Sequence, residues 1–211
     1  MDGLTEVIAR LEQHERLSSD PWLVVLPPPS PNTAAVVSLP GHVVVAADVE
    51  PRWVDSWMGD GDFARPLGPP FLNALEERLR LEADAIDAVL LATPLPGEPP
   101  VQLTPLLDST HPRVVRAHRF RSDVRVWTTE HGVLVLGRGL AGRWEAAVEV
   151  DETSRDAGHG RALATAARHL VPGGRPVWAQ IAPGNASSLR AFLAAGYVPV
   201  GSECLLTPPP L

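Results

Sequence analysis

Residues 146–170, AAVEVDETSRDAGHGRALATAARHL, decide the fold. The stretch opens as a strand, passes through a polar turn, and ends with apolar residues at helical spacing. Within the turn stands Arg155-x-x-Gly158-x-Gly160. Consecutive backbone N–H groups at a helix start can hold a phosphate, and glycines let the main chain come close to it. The helix dipole favours an anion at the same place. Ala162, Leu163, Ala166, Ala167 and Leu170 share one stripe, which would seat the helix on a sheet and fix the turn. Taken alone, the RxxGxG pattern also fits an ordinary glycine-rich turn.

Residues 177–203, VWAQIAPGNASSLRAFLAAGYVPVGSE, supply the context. They read as a strand, then a helix with Asn185 as its N-cap and Gly196 at its C-terminal end. Strand, RxxGxG, helix, strand, Asn-capped helix and Gly-aromatic pair, in this order and spacing, resemble the acetyl-CoA-binding motifs of the GNAT N-acetyltransferase superfamily. The resemblance covers residues 101–206 and implies a mixed α/β (α+β) fold, a central mixed sheet with helices on both faces. It implies acetyl-CoA as co-substrate, its pantetheine arm inserted into a V-shaped opening between parallel strands at 143–150 and 177–181. Backbone groups near Val148 and Val150 would pair with that arm. The amides of Gly158, His159, Gly160 and Arg161 would hold the pyrophosphate, Arg155 would open the loop, and Asn185 would contact the pantetheine side. The implied activity is transfer of an acetyl group to a primary amine of a small molecule or peptide, by direct attack in a ternary complex.

Amide formation requires a proton to leave the attacking ammonium, an oxyanion to be stabilised, and a proton to return to the thiolate. Strand side chains alternate, so Glu145 and Glu149 share one face with Ala147. The family often places its base on this strand, which makes Glu145 the candidate base and Glu149 the reserve. A solvated strand face, or an ion pair with an arginine such as Arg143, is the plainer reading of either. The family's usual tyrosine acid, seven residues after Asn185, is here Phe192. Tyr197, the chain's single tyrosine, stands at the Gly-aromatic position and is expected in the core. The departure supports an alternative function, a CoA-binding sensor or interaction module with little transfer.

Other residues say less. The run of Arg113, Arg116, Arg119, Arg121 and Arg125 with His111 and His118 lies where relatives build part of the acceptor site, but a solvated helix face is its plainer reading. Trp127, Trp144 and Trp178 would line either an acyl pocket or the core. His118 and His159 lack the spacing of metal ligands, so no metal is expected. Cys204 is the lone cysteine, which rules out an intramolecular disulfide.

Further out, regular alternation predicts strands at 101–106, 124–128, 133–137, 143–150 and 177–181, a closing strand-rich segment at 197–206, and helices at 113–120, 160–170 and 186–195. Before it lie a helix at 4–17, apolar runs at 34–39 and 42–47 that form a hairpin about Pro40-Gly41, helices near 52–58 and 71–81, and a strand at 87–92. TPLPGEPP (93–100) sets the expected boundary between a smaller α/β N-terminal domain (1–100) and the acetyltransferase domain (101–211). The first part would shape the acceptor site, make a dimer contact, or be a degenerate half-domain.

The chain's 211 residues are 45% hydrophobic and 20% charged, ordinary globular material. All 18 basic residues are arginine, a bias that points to a GC-rich bacterial genome and excludes lysine chemistry. A net charge of -7 argues against nucleic acid as a partner. No apolar run nears the roughly 20 residues that span a bilayer, and the charged start is unlike an export signal, so the expected setting is the cytoplasm, without membrane contact.

Overall fold

The computed structural model describes residues 3–59, 61–107 and 109–209. The chain divides into two compact units, one of residues 1–88 with 200–211, the other of residues 89–199. The division therefore falls at Ala88/Val89, inside a strand, and not at the proline-rich 93–100 segment. The last strand returns to the first unit instead of closing the second. Proline marks where helices and ladders stop, but compact units follow strand pairing, which local composition does not reveal.

The first unit begins with helix α1 (Leu4–Glu12), shorter than the expected 4–17 because His14 adopts a left-handed φ of 58°. Strand β1 (Leu23–Leu26) pairs in parallel with β3 (His42–Ala46), and β3 forms a hairpin with β2 (Ala34–Leu39) about Pro40-Gly41. Helices α2 (Pro51–Asp55) and α3 (Pro69–Leu79) start on prolines at their first turns, where the missing N–H costs nothing. Strand β10 (Val198–Thr207) runs antiparallel to β2. Phe71, Leu72 and Leu75 of α3 pack on Val36, Val43, Val45 and Leu206 to form this unit's core. Cys204 is buried here as a free thiol whose Sγ donates to the Asp84 carbonyl at 3.4 Å. Burial, then the charge of Asp84, pushes the thiol pKa up to about 12.

Strand β4 (Glu82–Ala92) carries the chain into the second unit. There follow β5 (Thr104–Pro105), α4 (Pro112–Phe120), β6 (Ser122–Thr129), β7 (Gly132–Arg138), β8 (Trp144–Val150), α5 (His159–Leu170), β9 (Val177–Ile181) and α6 (Ala186–Ala194). Strand β5 is two residues long, far less than the expected 101–106, because Pro105 can donate nothing to a ladder. Strands lie in the order β4-β9-β8-β7-β6-β5; β8 and β9 are parallel, and β5 to β8 are successively antiparallel.

Helices cover both faces of this mixed sheet. On one face, Val114 and Ala117 of α4 pack on Val126, Val133 and Val135. On the other, Leu163, Ala164, Ala166 and Ala167 of α5 and Phe192 of α6 pack on Leu134, Leu136, Ala146 and Ala179. The alanines bring α5 close to the sheet and fix where its first turn points. Among the described residues no helix is long and apolar enough to cross a membrane.

Candidate functional site

The site is built where β8 and β9 end. These parallel strands pair at Trp144 with Val177 and at Glu145 with Trp178, and at no later position. On its other edge β8 stays in register with β7 from Trp144 to Val150. The backbone of residues 146–150 facing β9 therefore has no ladder partner there, and main-chain groups inside a protein call for partners. Val148 and Val150 lie on this open edge, half-buried against the α5 side of the core.

Helix α5 starts beyond the same end of β8. Its N-cap is Gly158, with φ 83° and ψ -1°, and no side chain caps it. A left-handed residue here is what glycine permits cheaply, since any Cβ costs roughly 1–2 kcal/mol in that region. The first helical hydrogen bond runs from the Ala162 N–H to the Gly158 carbonyl at 3.1 Å. The amides of His159, Gly160 and Arg161 thus precede the ladder and point out of the helix end, a geometry and dipole that would favour an anion. A Cβ on Gly160 would stand 3.4 Å from Ala191 Cβ and 3.7 Å from Val150 Cγ2, so its absence lets α5, α6 and β8 converge. Arg155 and Arg161 are exposed beside this end.

Helix α6 begins differently. The Asn185 side chain accepts from the Ser188 N–H at 3.1 Å, so its start is capped from within. The structure brings Val148, Val150, Arg155, Gly158, His159, Gly160 and Arg161 to one end of the second unit's sheet, and places Asn185 just past β9 at the corresponding end.

The two glutamates are held very differently. Glu145 is 5% exposed and its oxygens are occupied: Arg143 Nε and the Leu140 N–H donate to Oε1 at 2.9 and 3.2 Å, and Arg121 Nε donates to Oε2 at 2.9 Å. Gly139 leaves the room, for a Cβ there would coincide with the carboxylate. Burial alone would raise the Glu145 pKa, but the adjacent Arg143 and Arg121 guanidiniums reverse it and hold the group below the usual carboxylate range. Such a carboxylate is a poor proton acceptor, so the geometry does not favour Glu145 as base. Glu149, further towards the open end of the same face, is half-exposed and pairs with Arg113 at 3.0 Å.

Tyr197 is 2% exposed, stacked edge-on against Phe192 with ring centroids 4.8 Å apart, its hydroxyl donating to the Ala164 carbonyl at 3.3 Å. Burial pushes its pKa up. Both rings are core. Trp178 is fully buried under the Arg143 guanidinium, 4.9 Å away, and Trp144 is 2% exposed, so neither lines an open acyl pocket. Of the basic run, Arg113 and Arg121 engage the two glutamates, while Arg116 and Arg119 lie over the Phe120 ring at 4.9 and 5.1 Å.

A feature that sequence reasoning missed is His131, in the β6–β7 turn. Its ring lies against that of His159, centroids 3.9 Å apart, and the two imidazoles border a cavity of about 550 Å³ with Gln102, Thr104, Thr129 and Leu163. Nothing local in the sequence marks it. Among the described residues no group of three His, Cys, Asp or Glu could hold a metal ion.

No protein-family model and no curated protein matches the chain. Solved structures do match it, among them two N-acetyltransferases. One is a GCN5-related N-acetyltransferase from Kribbella flavida, 18% identical, with a TM-score of 0.40 over 67% of this chain and 65% of that one. The other is a GCN5-related N-acetyltransferase from Sphaerobacter thermophilus, 16% identical, with a TM-score of 0.39 over 65% of this chain and 55% of that one. The chain spans less than two thirds of either neighbour, and at TM-scores near 0.4 a functional reading rests on this chain's own geometry.

Proposed function

We propose that the second unit is an acyltransferase of the GNAT type, moving an acetyl group from acetyl-CoA to a primary amine of a small molecule or peptide. One observation carries this: β8 and β9 part after two paired residues, and the uncapped start of α5 stands at the end where they part. A ligand with a flexible amide-bearing arm and a pyrophosphate has the chemistry for both places. The arm's amides would pair with the main chain at Val148 and Val150, and the phosphates would take the amides of residues 158–161. Arg155 would add charge at the loop, and Asn185 would flank the arm. A cytoplasmic setting belongs to the same proposal.

The reaction asks the amine to lose a proton, its nitrogen to bond to the thioester carbon, and the C–S bond to break. Glu149 suits the first task better than Glu145, because solvent and an acceptor can reach it. Unpaired N–H groups on the open edge of β8 would receive the developing oxyanion. The departing thiolate, with a thiol pKa near roughly 8.5, needs a proton less urgently than an alkoxide does, so water or the amine's own proton suffices.

Tyr197→Phe separates this from a tyrosine-acid mechanism. Loss of the hydroxyl bonded to Ala164 should cost about 0.5–1.5 kcal/mol of stability, with kcat and its pH profile unchanged; a large fall in kcat would restore tyrosine as the acid. The function itself is tested by calorimetric titration of acetyl-CoA, followed by thiol release against a panel of amines. Binding with turnover supports the proposal. Binding without turnover on any amine would reassign the unit to a CoA-binding sensor, and no binding would end both readings.

A further inference from the structure

The loop that precedes α5 is held from one residue outside it. His131, in the turn between β6 and β7, touches the loop at its beginning, middle and end. Its carbonyl accepts the Asp151 N–H at 2.9 Å; its Nδ1 is 3.2 Å from Ser154 Oγ; and its ring stacks on that of His159, the first residue of α5, at 3.9 Å and a tilt of 34°. His131 is itself fixed, since its own N–H donates to Thr129 Oγ1 at 3.1 Å.

Within the loop, the Ser154 N–H donates to the Asp151 carbonyl at 2.8 Å. Asp156 and Gly158 both adopt positive φ, 61° and 83°, and the helix that follows has no side-chain cap. Residues 151–153 and 155–158 are exposed. Three amides aimed at one anion bind well only if they are already aimed, because ordering a loop on binding subtracts from affinity. The His159 ring, clamped by His131, turns towards the cavity and leaves the main-chain N–H of the same residue at the open helix end.

We infer that His131 is a positioning residue for the pyrophosphate loop, acting through Ser154 and His159 to preset the amides of residues 159–161 for the phosphates of acyl-CoA. The inference rests on the acyl-CoA reading above. It assigns His131 no contact with the acyl group or the acceptor, so its effect belongs to the part of the ligand that carries phosphate.

The test compares acetyl-CoA with S-acetyl-pantetheine, which keeps the arm and thioester but has no pyrophosphate. In His131→Ala, affinity for acetyl-CoA should fall roughly tenfold, the size of one or two lost hydrogen-bond equivalents. Affinity for S-acetyl-pantetheine should stay within about twofold, and KM for acetyl-CoA should rise while kcat holds. Ser154→Ala, which removes one contact from the loop side and leaves the turn intact, should show a smaller loss of the same kind. His131→Phe keeps the ring stack without the Ser154 bond and should fall between wild type and His131→Ala. Equal losses on both ligands, or no loss on acetyl-CoA, would overturn the inference while leaving the acyl-CoA site standing. Wild-type protein that binds neither ligand would overturn both.

Discussion

Gly158→Trp should lower the affinity for acetyl-CoA by about 100-fold or more, equivalent to roughly 2.7 kcal/mol, and leave the protein folded. The backbone argument is that Gly158 sits at φ 83°, where a residue with a Cβ pays roughly 1–2 kcal/mol. That is small beside the packing of Leu163, Ala164, Ala166 and Ala167, which hold α5 on the sheet independently of its cap. The space argument is that a Cβ at residue 158 meets nothing within 4 Å, so the indole has open room at the helix end and would fill it. An anion would then find the amides of residues 159–161 covered. Gly158→Asn is the control, since asparagine tolerates the left-handed region and is far smaller than an indole; it should retain most of the binding. Calorimetric titration of both variants, with melting curves to confirm folding, reads the difference. A Trp variant that binds acetyl-CoA like wild type would mean that the phosphates sit elsewhere.

What could be read in advance followed from how local each signal is. Strand β9 and the 34–39 strand match their expected bounds because apolar runs flanked by turn residues need no distant partner to declare themselves. Asn185 as an N-cap was legible for the same reason, whereas the left-handed φ of Gly158 appears only in the structure. Strand β4 begins at Glu82, before the expected 87, because its first residues, EADAI, are too polar and alanine-rich to read as a strand; the neighbouring strands impose it. Arg143 could be suspected as a partner of Glu145, two residues away, but Arg121 stands 24 residues upstream and only the fold brings it to the second oxygen. The same holds for His131, whose three contacts with the loop before α5 all cross to a different part of the chain. The motif thus marked the uncapped start of α5, while the arginines around Glu145 and the contacts of His131 stayed hidden in tertiary structure.

Glu145→Gln should destabilise the protein by about 3–5 kcal/mol, the usual cost of breaking a buried ion pair by removing one member. Arg143 is fully buried and the Arg121 side chain is 13% exposed, so neither guanidinium can turn to water when the carboxylate is lost. Glutamine keeps the volume and one acceptor, which isolates charge from packing. Its Tm should drop by roughly 10 °C or more. Acid should act in the same direction. Glu145 has a folded pKa below its unfolded one, so its contribution is complete above the unfolded value of about 4.3 and is lost as pH falls through the folded value. Wild type should therefore lose stability below about pH 4.3, and Glu145→Gln should lack that part of the acid limb. Because this variant would lose activity by melting, its rate must be measured well below its Tm, where kcat should be near wild type if the carboxylate only holds the two arginines. Glu149→Gln offers the contrast. Half-exposed and paired with one half-exposed arginine, it should barely move the Tm yet lower kcat at neutral pH, as loss of a base would. If Glu145→Gln instead keeps its Tm and loses kcat, the buried carboxylate is the base after all, and its two arginines serve to tune a proton acceptor.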